Sequence, residues 1–150
     1  MPSLSLDLSQ TKQFTSILKK QKGTLRLRAF YPSGHPLKSS DSGRKGEPSK
    51  ATVEAWQIEG RGVYAVINDG GDTDSAITAC RAVFCEWDDR PKDWQVTAWK
   101  DLQLPEPTLQ VDTGGKSIHN YWIFDNPISV EEWKSIQTRL LDHADADRSL

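Results

Sequence analysis

A chain of 150 residues is long enough to bury about two thirds of its unfolded surface on folding, so it needs no disulfide or metal staple. Hydrophobic residues make up 36% and charged residues 27%, and no apolar run approaches the roughly 18 residues of a membrane span, which excludes membrane-embedded and collagen-like classes. The 19 basic and 21 acidic residues leave a net charge of -2, so a nucleic-acid partner must be met by a local patch rather than a global field.

The opening run Met1-Pro2-Ser3-Leu4-Ser5-Leu6-Asp7 has neither a basic start nor a long apolar stretch, so no signal peptide is expected and a cytoplasmic location follows. Phe14, Ile17 and Leu18 recur at helical spacing behind Ser9, predicting a helix over 10–20 that stops before Gly23. Thr24 to Phe30 alternates apolar and basic residues, the pattern of a strand with one buried face, and places Arg26 and Arg28 together on the other. Residues 32–50 hold three of the eight prolines and three of the ten glycines among Ser, Lys and Arg, and read as a long mobile loop.

A short helix over 51–59 is expected to end at Gly60, followed by a strand from Gly62 to Ile67 and a turn at 68–72. A further short helix over about 74–79 leads into a strand from Arg81 to Asp88. Pro91 suits the first turn of a helix reaching Leu102, with Trp94, Ala98 and Leu102 inward. Leu109–Asp112 and Ser117–Phe124 form a hairpin around Thr113-Gly114-Gly115-Lys116. Ser129 and Glu132 make a capping box before a helix carrying Trp133, Ile136 and Leu140. These elements describe a single α+β domain over 1–150 with a largely antiparallel sheet. Cys80 and Cys85 lie in an apolar neighbourhood without zinc-site spacing and read as buried thiols.

Three groups of residues can carry chemistry. Glu86 and Asp88 end an apolar strand, and a period of two turns both carboxylates to one face while Trp87 points away. Such a pair either binds a hard divalent ion or, with Asp89, forms an acidic turn. Gly115-Lys116-Ser117 resembles the end of a phosphate-binding P-loop, but position 110 is Gln and a strand pattern follows, so that motif is excluded. What remains is a glycine turn with Lys116, and Ser117 and His119 on one face of the next strand, either a phosphate contact or a plain hairpin tip. Asp142, Asp145 and Asp147 lie at a helix C-terminus, where negative charge is unfavourable, and offer either a frayed end or a further metal ligand.

Taken together, these segments resemble the archaeo-eukaryotic primase superfamily, in particular the primase–polymerase and RepB-like primase modules of plasmids, phages and mobile elements. The resemblance runs from about Thr24 onward and rests on two motifs in order. The apolar strand ending in an acidic-x-acidic pair is Val83-Phe84-Cys85-Glu86-Trp87-Asp88, with Glu where the family more often has Asp; the small-x-His strand is Ser117-Ile118-His119. The resemblance implies an RRM-like sheet flanked by helices, and a nucleotidyltransferase of DNA replication acting on a single-stranded DNA template and nucleoside triphosphates. Glu86 and Asp88 would hold Mg2+ or Mn2+, with Asp147 as the third acid and Asp145 its alternative. His119, with Lys116 and Ser117, would contact nucleotide phosphates, and Arg26 and Arg28 the phosphates of template or nucleotide. The related modules continue past the third motif into a further strand segment, so this chain is expected to be the N-terminal portion of the module, with a helicase domain as a partner in a longer chain. The alternatives are a catalytically silent replication-initiation fragment and a metal-dependent nuclease.

Overall fold

A computed structural model describes residues 9–18, 20, 25–71 and 74–148, and within them the chain divides into two compact units, Met1–Ile77 and Thr78–Leu150. The pairing is antiparallel as expected, and among the described residues it forms two sheets of three strands each rather than one. Among the described residues no helix is long and apolar enough to cross a membrane. The expected stop signal at Gly23, the strand start at Thr24 and the turn residue Asp72 lie outside the described residues.

The first unit contains helix α1 (Ser9–Ile17), strands β1 (Arg26–Phe30), β2 (Arg44–Gly46) and β3 (Gly62–Val66), and helix α2 (Lys50–Ile58). Its strands run antiparallel in the order β2-β1-β3. Alternation along β1 buries Leu27 and Ala29, which pack with Leu25 and with Val53 and Trp56 of α2. The Ser49 hydroxyl caps α2 by accepting the Thr52 amide, satisfying one of the donors a helix start leaves open.

Residues 32–50, expected to be one long mobile loop, carry regular structure. A 3-10 turn forms at Lys38–Ser40, and β2 adds to the edge of β1. The buried Arg61 ties this segment down: its guanidinium bonds both oxygens of Asp41 at 2.8 and 3.0 Å and Glu59 at 2.6 Å. It also lies 3.9 Å from the centre of the Tyr31 ring, which stacks on His35 at 4.1 Å. Gly43, at φ +83, is required where the chain turns into β2, because a Cβ there would stand 2.6 Å from the Phe30 ring.

The second unit contains β4 (Cys80–Cys85), α3 (Lys92–Asp101), β5 (Leu109–Asp112), β6 (Ile118–Ile128) and α4 (Val130–Ala144), with antiparallel strand order β4-β6-β5. Val83, Cys85 and Trp87 pack against Ala98 of α3 and Leu140, Leu141 and Ala144 of α4. Ser129 caps α4 as the capping box predicts, accepting from the Glu132 amide. Three boundaries differ from expectation. The 74–79 helix is a 3-10 turn at Asp74–Ala76, Pro91 stands at the N-cap of α3 rather than inside it, and β4 ends at Cys85, three residues before the second acid.

Strand β4 is an edge of its sheet, and unpaired backbone groups on an edge invite pairing with other chains. Helix α4 covers it. The Gln137 side chain accepts from the Phe84 amide at 3.0 Å and donates to the Phe84 carbonyl at 2.7 Å, and the Trp133 indole donates to the Ala82 carbonyl at 2.7 Å. Both cysteines are buried thiols, and burial beside Glu86 pushes the Cys85 thiol up to about 12.

Candidate active site

The site is built from strand register. Cys85 of β4 pairs with Asn120 of β6, and Phe84 with Tyr121. Carried onward along two antiparallel segments, that register sets Glu86 across from His119 and Asp88 across from Ser117. The side chains meet accordingly: Nε2 of His119 forms an ion-pair contact with Oε2 of Glu86, and the Ser117 hydroxyl donates to Oδ1 of Asp88 at 2.7 Å. The acidic-x-acidic and Ser-x-His spacings are therefore one spacing seen from two strands, since alternate residues share a face. Trp87, between the acids, turns the other way: it is 2% exposed, donates to the Ala144 carbonyl at 3.0 Å and meets Trp94 edge-on.

The third acid arrives from the end of α4. Asp145 adopts a left-handed conformation at φ 48, and buried Ala146 donates back to the Leu141 carbonyl at 3.2 Å, so the chain leaves the helix in a tight turn. Asp147 then lies alongside the acid pair. Its amide donates to the Glu86 carbonyl at 2.9 Å, and its Oδ2 accepts from the Asp88 amide at 2.8 Å. Ligand oxygens of Glu86, Asp88 and Asp147 all lie within 4.8 Å of one another. Asp145 is exposed on the cap and is not a member of this group.

Burial pushes the Asp147 carboxyl above its usual range, and the charges of Asp88, Glu86 and Asp89 act the same way, against the Asp88 amide, which favours the ionised form. Three carboxylates crowded in this way fit a divalent cation with hard oxygen preference, because the cation supplies the charge that otherwise must come from protons.

His119 is held from both sides, since its Nδ1 lies 3.3 Å from the Tyr121 hydroxyl. Burial and the nearby Glu86 push that hydroxyl up to about 12, so it keeps its proton at neutral pH. Lys116 is exposed on the hairpin turn. Gly114, at φ +79, makes the turn possible, and Asp112 secures it by accepting the Gly114 amide at 2.8 Å and the Lys92 ammonium at 2.6 Å.

Two residues that sequence reasoning passes over belong beside the site. Lys92, in the first turn of α3, adds a second cation next to the Lys116 turn. Gln95, 0% exposed, links that turn to the loop after Asp88. Arg26 and Arg28 lie in the first unit, on the face of β1 turned from Trp56. Arg28 pairs in register with Lys45 of β2 and Tyr64 of β3, and its guanidinium lies 4.8 Å from the centre of the Phe30 ring; Arg26 reaches Glu47 at 3.9 Å.

Fold and site together define an α+β protein with an acidic triad and a Ser-x-His pair mounted on an antiparallel sheet. No family model matches the chain, and no curated protein matches it significantly. A solved structure does: the AEP domain of the primase–polymerase (PrimPol) of cyanophage S-2L superposes with a TM-score of 0.88 and 38% sequence identity, over 97% of this chain and 77% of that one. The chain belongs to the archaeo-eukaryotic primase superfamily.

Proposed function

We propose that this chain is the catalytic module of a primase–polymerase, a nucleotidyltransferase that joins nucleotides along a single-stranded DNA template during plasmid, phage or mobile-element replication. The observation that supports the reading is the acidic cluster: ligand oxygens of Glu86, Asp88 and Asp147 lie within 4.8 Å of one another, with Ser117 and His119 against the first two. Family membership, and the primase–polymerase named in the structural neighbour, support it.

In this reading Glu86, Asp88 and Asp147 hold Mg2+ or Mn2+. When bound, such a cation offsets the negative charge that develops on the attacking and leaving oxygens of an in-line displacement at phosphorus. The protein supplies the rest. His119, set by Glu86 and Tyr121, lies beside the acids to face a triphosphate, Ser117 orients Asp88 through its hydroxyl, and the exposed Lys116 adds an ammonium for phosphate. In the first unit, Arg26, Arg28 and Lys45 supply cations for template phosphates, and Tyr64, 55% exposed, offers a ring for a base.

Primer synthesis tests the reading. Wild type incubated with Mn2+, labelled nucleotides and single-stranded template is expected to make primers, and Glu86→Ala/Asp88→Ala to make none. Template binding without product in the wild type overturns the enzyme reading in favour of a silent binding module. Template degradation under the same conditions points to a nuclease.

A further inference from the structure

We infer that Gln95 is a positioning residue for this site, clipping the segment that carries Asp88 to the segment that carries Ser117 and His119; the inference rests on the functional reading above. Gln95 is the fourth residue of α3 and is completely buried. A buried amide must satisfy two N–H donors and a carbonyl, and Gln95 satisfies all of them with backbone on either side of the site. Its Nε2 donates to the Arg90 carbonyl at 2.7 Å and to the Lys116 carbonyl at 2.9 Å, and its Oε1 accepts from the Ile118 amide at 2.7 Å.

The placement of those partners gives the side chain its role. Arg90 follows Asp88 by two residues, and Lys116 and Ile118 flank Ser117, whose hydroxyl holds Asp88. The ladder between β4 and β6 ends at Cys85 opposite Asn120, so neither Asp88 nor Ser117 is held by regular strand pairing. Gln95 closes that gap with three hydrogen bonds from the rigid body of a helix. Its loss frees the two segments to separate, and with them the oxygen of Asp88 from Ser117 and the imidazole from Glu86. A neutral side chain of this length is required, because Glu lacks the two donors and Asn is one methylene too short to reach all three partners.

Gln110 supplies the control. Its Nε2 also fastens α3 to β6, at 2.8 Å to the Val96 carbonyl and 2.8 Å to Oδ1 of Asn120, but it reaches none of the backbone groups of Arg90, Lys116 and Ile118 that Gln95 joins.

The experiment titrates Mn2+ alone, read by electron paramagnetic resonance, into wild type, Gln95→Met, Gln95→Asn and Gln110→Met, with circular dichroism spectra and melting curves for each. Both Gln95 variants are expected to bind Mn2+ about tenfold or more weakly than wild type, the usual cost of losing an outer-shell partner. Gln110→Met is expected to melt lower yet bind Mn2+ as wild type does. With nucleotide present, the Gln95 variants are expected to raise KM more than they lower kcat. Wild-type Mn2+ affinity in a folded Gln95→Met or Gln95→Asn, or equal weakening in Gln110→Met, overturns the inference and leaves the functional reading standing. Absence of Mn2+ binding by the wild type instead overturns the reading of the site itself.

Discussion

The Ser117 hydroxyl donates a 2.7 Å hydrogen bond to Oδ1 of Asp88, so the residue two places before the histidine holds the second acid of the pair. Ser117 is buried while Asp88 is exposed, and a hydrogen bond to a charged group contributes about 1.5–3 kcal/mol, the lower end applying where solvent reaches the acceptor. Ser117→Ala therefore leaves Asp88 without a fixed orientation. Mn2+ affinity is expected to fall about tenfold while the fold survives, as titration and melting curves measured side by side would show. Unchanged affinity would mean that Ser117 serves only the hairpin.

Asp147 stores the opposite kind of energy. Its carboxyl is raised by burial and by neighbouring acids, so the folded chain holds that proton more tightly than the unfolded chain does. The stability this provides is complete at acid pH and disappears as pH rises through the raised value, which leaves an unfavourable charge in the metal-free protein at neutral pH. Asp147→Asn is expected to raise the melting temperature by a few degrees at pH 7. The gain should vanish below the ordinary carboxylate value of 3.8, and Mn2+ should no longer stabilise the variant. A lower melting temperature at pH 7 would mean that the hydrogen bond to the Asp88 amide outweighs the repulsion.

These two residues mark where the sequence is legible and where it is not. Glu86, Asp88, Ser117 and His119 are readable because a strand alternates faces with period two, so equal spacings on two strands announce a shared face. The position of Asp147 depends on a left-handed Asp145, a conformation that no glycine announces. Strand β2 escapes notice because Arg44, Lys45 and Gly46 carry no apolar alternation and owe their pairing to β1. Gln95 and Gln137 look like solvent-facing helix residues until tertiary packing buries them. Periodicity identifies a strand without naming its neighbour, which is why two three-stranded sheets read as one.

Gln137 offers a test of edge protection that is independent of catalysis. Its amide satisfies both polar groups of Phe84 on the open side of β4. Gln137→Ala leaves a backbone donor and acceptor without their partner, at a cost of about 1–3 kcal/mol for each buried group. The melting temperature is expected to fall by about 2–4 °C per kcal/mol for a chain of this size. Light scattering should show faster aggregation on warming, because the exposed edge can pair with another copy. A variant that melts as wild type does would remove Gln137 from the account of the edge.

The first unit has a pH dependence of its own. The hydrogen bonds and charge of Arg61 hold the Asp41 carboxyl below its ordinary value of 3.8, helped by the Gly43 amide and Arg44. A carboxyl lowered by folding contributes stability that is complete above the unfolded value and is lost as pH falls through the folded one. Denaturant unfolding followed by Trp56 fluorescence, in a variant whose other tryptophans are Phe, is therefore expected to weaken below about pH 4. Asp41→Asn should flatten that acid limb and lower stability at neutral pH, because buried Arg61 then lacks its bidentate partner. An acid limb unchanged in Asp41→Asn would assign it to other carboxylates.

On the proposed reading, the row formed by Lys45, Arg28 and Tyr64 across three strands offers two separable contributions to template binding. Lys45 is exposed and can only meet phosphate, so its effect must depend on salt. Each phosphate contact to a single strand contributes a slope of about 0.7 in log affinity against log salt, and Lys45→Ala should reduce the slope by about that amount. Tyr64 presents an aromatic face, and stacking of one base contributes about 1–3 kcal/mol. Tyr64→Ala is expected to weaken binding of a labelled oligonucleotide about tenfold at every salt concentration, without changing the slope, while Tyr64→Phe retains wild-type affinity. Fluorescence anisotropy over a salt series measures both. Loss of affinity in Tyr64→Phe equal to that in Tyr64→Ala would replace stacking with a hydroxyl contact, and no effect of Tyr64→Ala would move the base to another surface.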